Sequence, residues 1–131
     1  FTQIFKYDNM MLDIFNDVGE HFDSLPYGNY TLLAPSGFTY HGKVTYHQGF
    51  YMSSNRIQIV KEGSLYEDEV QFYHAIYDYW SEKASFDQTK FAFDYYRGSY
   101  FLTFSKKQAD EFMSHGYQLE YTNNECYVIR L

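Results

Sequence analysis

The first periodicity along the chain is helical. Met11, Phe15, Val18 and Phe22 recur at intervals of four, three and four, and Asp13, Asn16, Asp17 and Glu20 fill the opposite stripe. Asp8 is a suitable N-cap, and "SLPYGN" stops this helix at Leu25-Pro26. The pattern then shortens to period two. "NYTLL" reads as a strand followed by a turn at "APSG", and "FYM" and "RIQIV" read as further strands around "SSN".

Between them lies "FTYHGKVTYH", in which Thr-Tyr-His occurs twice. A two-residue hairpin turn at Gly42-Lys43 mixes polar and apolar residues on both faces. One continuous strand sorts them better. It puts Phe38, Tyr40, Val44 and Tyr46 on one face and Thr39, His41, Lys43, Thr45 and His47 on the other. A single strand is therefore expected.

A second helix is expected from the capping-box string Ser64-Leu65-Tyr66-Glu67. Val70, Phe72, Tyr73, Ile76, Tyr77, Tyr79 and Trp80 cover about half its circumference, wide enough for a principal cover of the sheet with Trp80 largely buried. Its wet face is Glu67, Gln71, His74, Asp78 and Glu82.

"KFAFDYY" and "YFLTF" then read as two strands around a turn at Arg97-Gly98. Ser105 to Gln108 opens a short helix that ends at Gly116. "YQLEYT" and "CYVIRL" form a last hairpin over "NNE". The expected order is α-β-β-β-β-α-β-β-α-β-β. This is an α+β fold in a single domain, 1–131, with three helices and a mostly antiparallel sheet of about 6–8 strands.

Composition narrows the function. The net charge of −7 disfavours direct phosphate or nucleic-acid binding. No apolar run approaches the roughly 20 residues of a membrane span, and no signal-peptide pattern opens the chain. The lone cysteine, Cys126, rules out an internal disulfide and a multi-cysteine zinc site. It fits a cytoplasmic protein and sits in the apolar run "CYVIRL", where a thiol is buried and inert. Tyr (16) and Phe (13) are abundant, as A/T-rich codon usage produces, and Tyr is also enriched at binding surfaces.

Charge is unevenly laid out. Residues 1–25, 26–61, 62–94 and 95–131 carry net charges of −4, +3, −6 and 0. Helix faces and first turns collect acids for ordinary reasons of solvation and dipole. Functionally, Asp13, Asp17 and Glu20 with Asp78 and Glu82 form rows of carboxylates about 6 Å apart, near the phosphate spacing of a nucleic acid. Such rows can occupy a basic groove. The polar face of His41, Lys43 and His47 is the other candidate contact. His41 and His47 stand about 20 Å apart along one strand, too far to share a metal ion. His74 and His115 read as structural residues of helix surfaces and ends.

The strings "TYHG" (39–42), "RGSYFLTFSKKQA" (97–109) and "NNECYVI" (123–129) together resemble ADP-ribosyltransferases of the His-Tyr-Glu type. The resemblance implies that His41 holds a ribose, Tyr100 stacks a nicotinamide and Glu125 orients a ribose hydroxyl. It covers about 30 residues. In that family a helix follows the His-Gly, where this chain continues in alternation.

The reading favoured by the residues themselves is a binding protein with no catalytic centre, cofactor or metal. By class analogy it is a phage or mobile-element inhibitor of a host nucleic-acid enzyme, of the anti-CRISPR or anti-restriction type, whose partner is a host or viral protein. A structural or assembly protein using Tyr-rich strands at a subunit interface is the other non-enzymatic reading.

Overall fold

The computed structural model describes residues 16–26, 28–34, 39–40, 43–44, 56–60 and 65–131, with 39–40, 43–44 and 59 described by backbone alone. The first helix, α1, spans 16–23. It buries Val18 and Phe22, the inner half of the expected stripe. Its end is closed by Ser24, whose amide reaches the Glu20 and His21 carbonyls and whose hydroxyl donates to His21 O at 2.5 Å. Asp8, Met11, Asp13 and Phe15 lie outside the described residues, as does the "FYM" strand.

Among the described residues, seven strands and three further helices follow. They are β1 (Tyr30–Leu33), β2 (Thr39–Tyr40), β3 (Lys43–Val44), β4 (Ile57–Ile59), α2 (Val70–Trp80), α3 (Phe86–Tyr95), β5 (Tyr100–Thr103), α4 (Lys106–Ser114), β6 (Gln118–Thr122) and β7 (Tyr127–Arg130). The fold class is α+β. One sheet has the order β4-β1-β5-β7-β6, and β2 and β3 form a separate pair.

The sheet corrects the expectation of a mostly antiparallel arrangement. β1 runs parallel to both β4 and β5, whereas β7 runs antiparallel to both β5 and β6. β4 and β5 flank β1 in the same direction, so the chain between them must cross over the sheet, and α2 and α3 make that crossing. The expected hairpin through Arg97-Gly98 is instead a helix-to-strand connection, with Gly98 at φ 91° where other residues are strained.

Residues 86–95 are helical, not a strand, which brings the helices among the described residues to four. Ser85 caps α3 with a full capping box: its side chain accepts from the Gln88 amide, and the Gln88 side chain accepts from the Ser85 amide. Phe86, Thr89, Ala92, Phe93 and Tyr96 are buried at helical spacing. The Phe-Ala-Phe alternation at 91–93 is a short run in which period two and period 3.6 look alike.

Two other expectations also change. α2 starts at Val70 with Glu69 as N-cap and no side-chain cap bond, several residues after the Ser64 box. β2 and β3 pair antiparallel, with Thr39 opposite Val44 and Tyr40 opposite Lys43. The expected continuous strand is therefore two, and Lys43 belongs to the second strand, not to a Gly42-Lys43 turn.

Alternation along the strands separates two cores. Leu32, Tyr100, Leu102, Cys126 and Val128 face α1, with Val18 and Phe22. Leu33, Phe101 and Ile129 face α2, α3 and α4, against Tyr73, Ile76, Tyr79, Phe93 and Phe112. α1 thus covers one face of the sheet and the other three helices share the opposite face. All four residues of β5 are buried because both its faces are covered. Trp80 is only partly buried. It stacks on Phe101 (5.2 Å, 17°) and donates its Nε1–H to Leu102 O at 2.9 Å, beyond the last β1–β5 pair.

Candidate interaction surface

The acidic rows do not form one surface. Asp17 and Glu20 lie on α1, Asp78 lies on α2 and Glu82 just past its end, on opposite sides of the sheet. Glu20, Asp78 and Glu82 are exposed, while half-buried Asp17 is tied to the β6–β7 turn by Asn123 Nδ2 at 3.1 Å. Asp13, His41 and His47 lie outside the described residues, and Lys43 is described by backbone alone.

Two residues of the transferase-like set are described, and the fold keeps them apart. Tyr100 opens β5 opposite Arg130, and Thr103 closes it opposite Tyr127. Exposed Glu125 precedes Tyr127 and so lies past the far end of that ladder, about 10 Å or more along the strands. The Tyr100 ring is buried in the α1-side core, edge-on to Phe22 (5.0 Å) and Tyr30 (5.8 Å). Its pKa is raised, first by burial and then by the Glu120 charge, against the opposing effect of Arg130.

Near Tyr100 a bulge re-aims a carboxylate. The β6–β7 register shifts between Leu119 and Tyr121, leaving Glu120 outside the regular ladder. Glu120 and Tyr121 then both face α1. His21 stacks on Tyr121 (4.7 Å) and its Nε2 donates to Glu120 Oε2 at 2.8 Å, while Arg130 donates to Glu120 Oε1 at 2.8 Å. Burial on its own raises the Glu120 pKa. The hydrogen bonds from His21 and Arg130 outweigh that and hold the carboxyl below its usual value. This cluster fastens α1 to the sheet.

A second polar network fastens the other side. Thr103 Oγ1 donates to Gln108 Oε1 at 2.5 Å, Gln108 Nε2 donates to Tyr79 O at 2.8 Å, and the Tyr79 hydroxyl donates to Glu111 Oε1 at 2.6 Å. Gln108 therefore serves the core with its side chain, and only the Ser105 half of the expected capping box forms. A cavity of about 330 Å³ opens beside Tyr79, Gln108 and Glu111, and one of about 270 Å³ beside Lys90, Arg97 and His115. His115 is the C-cap of α4, stacked on Phe86 at 4.0 Å. Cys126 is buried, and burial, followed by the Asp17 and Glu125 charges, pushes its thiol up to about 12.

The feature most unlike a solvated helix surface lies between α2 and α3. These helices are joined by residues 81–85 and pack side by side. Phe72 of α2 stacks face to face on Tyr95 of α3, with centroids 4.0 Å apart and planes 4° apart. Phe91, one turn before Tyr95, meets Phe72 at 5.8 Å. Phe91 and Tyr95 are 50% and 48% exposed, which is high for aromatic rings gathered in one place. Tyr66, 79% exposed, precedes α2.

Carboxylates border this patch. The Tyr95 pKa is raised by desolvation first and then by the charges of Glu69 and Asp68. Tyr96 donates its hydroxyl to Glu69 Oε2 at 3.1 Å and stands perpendicular to Tyr95. Asp87 lies one turn before Phe91 on α3. Among the described residues Asp68, Glu69 and Asp87 make no ion pair, whereas Lys90, Arg97, Lys106 and Arg130 are each taken up by Asp94, Asp110 or Glu120. The sequence reading missed Phe72, Phe91 and Tyr95 as a set. The signal was the Ser85–Gln88 capping box, which makes 86–95 a helix and places Phe91 and Tyr95 on one face.

Among the described residues there is no group of three His, Cys, Asp or Glu side chains that could hold a metal ion, and no helix long and apolar enough to cross a membrane. The chain matches no protein-family model, no curated protein and no solved structure.

Proposed function

We propose that this protein is a binding domain that docks on a basic protein surface through the α2–α3 face. Within that class we place it as a phage or mobile-element inhibitor of a host nucleic-acid enzyme, acting in the cytoplasm by occlusion. The observation that carries the reading is the pair of exposed rings Phe91 and Tyr95, gathered on half-buried Phe72 and bordered by carboxylates without internal ion pairs among the described residues. Exposed aromatics supply contact area at low entropic cost, and surrounding charge selects and steers a partner of opposite sign. Asp78 and Glu82 are further exposed acids, one on α2 and one just past its end. Asp17 and Glu20 belong to the far side of the sheet, where Asp17 is bound by Asn123 and Glu20 is exposed.

The test compares the wild-type chain with Phe91→Ser/Tyr95→Ser in capture from a host lysate, followed by a cleavage or binding assay of the captured enzyme. Support requires a nucleic-acid enzyme that is retained by the wild type, lost by the double variant at unchanged melting temperature, and inhibited in competition with its nucleic acid. Equal capture by both proteins, or a captured enzyme whose activity is unaffected, overturns the proposal.

A further inference from the structure

We infer that the Phe72–Tyr95 stack is a receptor for an arginine side chain of the partner, the guanidinium lying on the aromatic surface and reaching the Asp68 and Glu69 carboxylates. This rests on the binding reading above and specifies its chemistry.

Three features select the occupant. The first is a ring that is both available and held. Tyr95 is about half exposed, yet it is fixed by the parallel contact with Phe72 at 4.0 Å and the perpendicular contact with Tyr96 at 5.0 Å. A pre-positioned ring loses little freedom when something settles on it. The second is charge. Asp68 and Glu69 act on the Tyr95 phenol and have no ion-pair partner among the described residues. Tyr96 holds Oε2 of Glu69, so the carboxylate is anchored with its other oxygen turned to no donor among the described residues. The third is apolar ground beside the ring, supplied by Phe91 at 50% exposure.

Each feature removes alternatives. A purely apolar side chain would cover Phe91 and Tyr95 but strip water from two carboxylates without replacing it. A phosphate or an acidic peptide would be repelled by them. A lysine ammonium satisfies the charge, but it is a strongly hydrated point that gains little from a flat ring. Guanidinium is planar, weakly hydrated and forked. It stacks on an aromatic face while donating to a carboxylate, and its aliphatic stem can lie on Phe91.

The experiment is an amide NMR titration of the full chain with two otherwise identical Gly-spaced peptides, one carrying four arginines and one four lysines. The arginine peptide is expected to shift amides in 68–72 and 91–96, and to bind about two- to fivefold more tightly than the lysine peptide. Tyr95→Leu should abolish that preference, and Tyr95→Phe should keep it, both at unchanged melting temperature. Asp68→Asn with Glu69→Gln should weaken the arginine peptide. Equal binding of the two peptides, or shifts centred on Asp78 and Glu82, overturns the arginine receptor. It does so without touching the broader reading, which fails separately if a partner is captured independently of Phe91 and Tyr95.

Discussion

His21 and Glu120 meet at 2.8 Å although they stand 99 positions apart in the chain. The contact exists because a bulge in β6 turns Glu120 toward α1, where Arg130 takes its other oxygen. The pair ties the first described helix to the last two strands, and its energetics are tied to pH.

The Glu120 pKa is lowered on folding, so its contribution to stability is fully present above the unfolded carboxyl value of about 4.3. It is lost as pH falls through the lower folded value. Glu120→Gln should therefore cost about 1.5–3 kcal/mol near neutral pH, the range for hydrogen bonds to charged groups. The difference from wild type should shrink below about pH 4. Urea midpoints at pH 7 and pH 3 check this, and a gap that widens with acid contradicts it.

Gln108 is the single side chain that joins Thr103 on β5 to the Tyr79 carbonyl at the end of α2. Gln108→Leu preserves most of the volume and leaves the buried Thr103 hydroxyl without its acceptor, while the Tyr79 carbonyl keeps only the Glu82 amide. A loss of about 2 kcal/mol is expected. Chemical denaturation measures it, and a neutral result would show that the network is dispensable.

Ser85 carries the helix that supports the binding face. Ser85→Ala removes the acceptor for the Gln88 amide and should cost about 1 kcal/mol. Ser85→Asp should restore much of the loss, since Asp also caps. A Ser85→Asp variant no more stable than Ser85→Ala, in thermal melts followed by circular dichroism, would mean that capping is not what Ser85 contributes.

Cys126 should be silent toward thiol reagents in the native state. Burial pushes its thiol up to about 12, so at pH 8 its thiolate fraction is orders of magnitude below that of a free cysteine, and the sulfur is covered as well. Labelling should begin only where urea unfolds the chain. Rapid labelling in native buffer would place the β7 side of the core at the surface.

Some of this architecture was legible in the sequence because it is local. The Val18–Phe22 spacing, the β6–β7 hairpin around Asn123-Asn124, and the helix stop at Gly116, with φ 88°, follow from interactions a few residues apart. So does the inward side of Cys126, which directly precedes β7 and continues its alternation with Val128. What only tertiary structure decided is everything that depends on a distant neighbour. "KFAFDYY" by itself fits either period; the Ser85–Gln88 capping box is the local signal for a helix, and the core offered by Tyr79 and Phe101 is the distant part that settles burial at 86, 89, 93 and 96. β1 lies between two parallel partners because the chain returns through α2 and α3, a choice that no strand's own residues record. The acids of α1 and α2 form separate rows along the chain, and packing puts those rows on opposite faces of the sheet. Phe91 and Tyr95, which the chain alone does not mark as surface residues, become exposed rings gathered on half-buried Phe72. Periodicity tells a residue which side of its own element it occupies. Whether that side meets protein or water is set by the packing of other elements against it, which in this fold come from far along the chain.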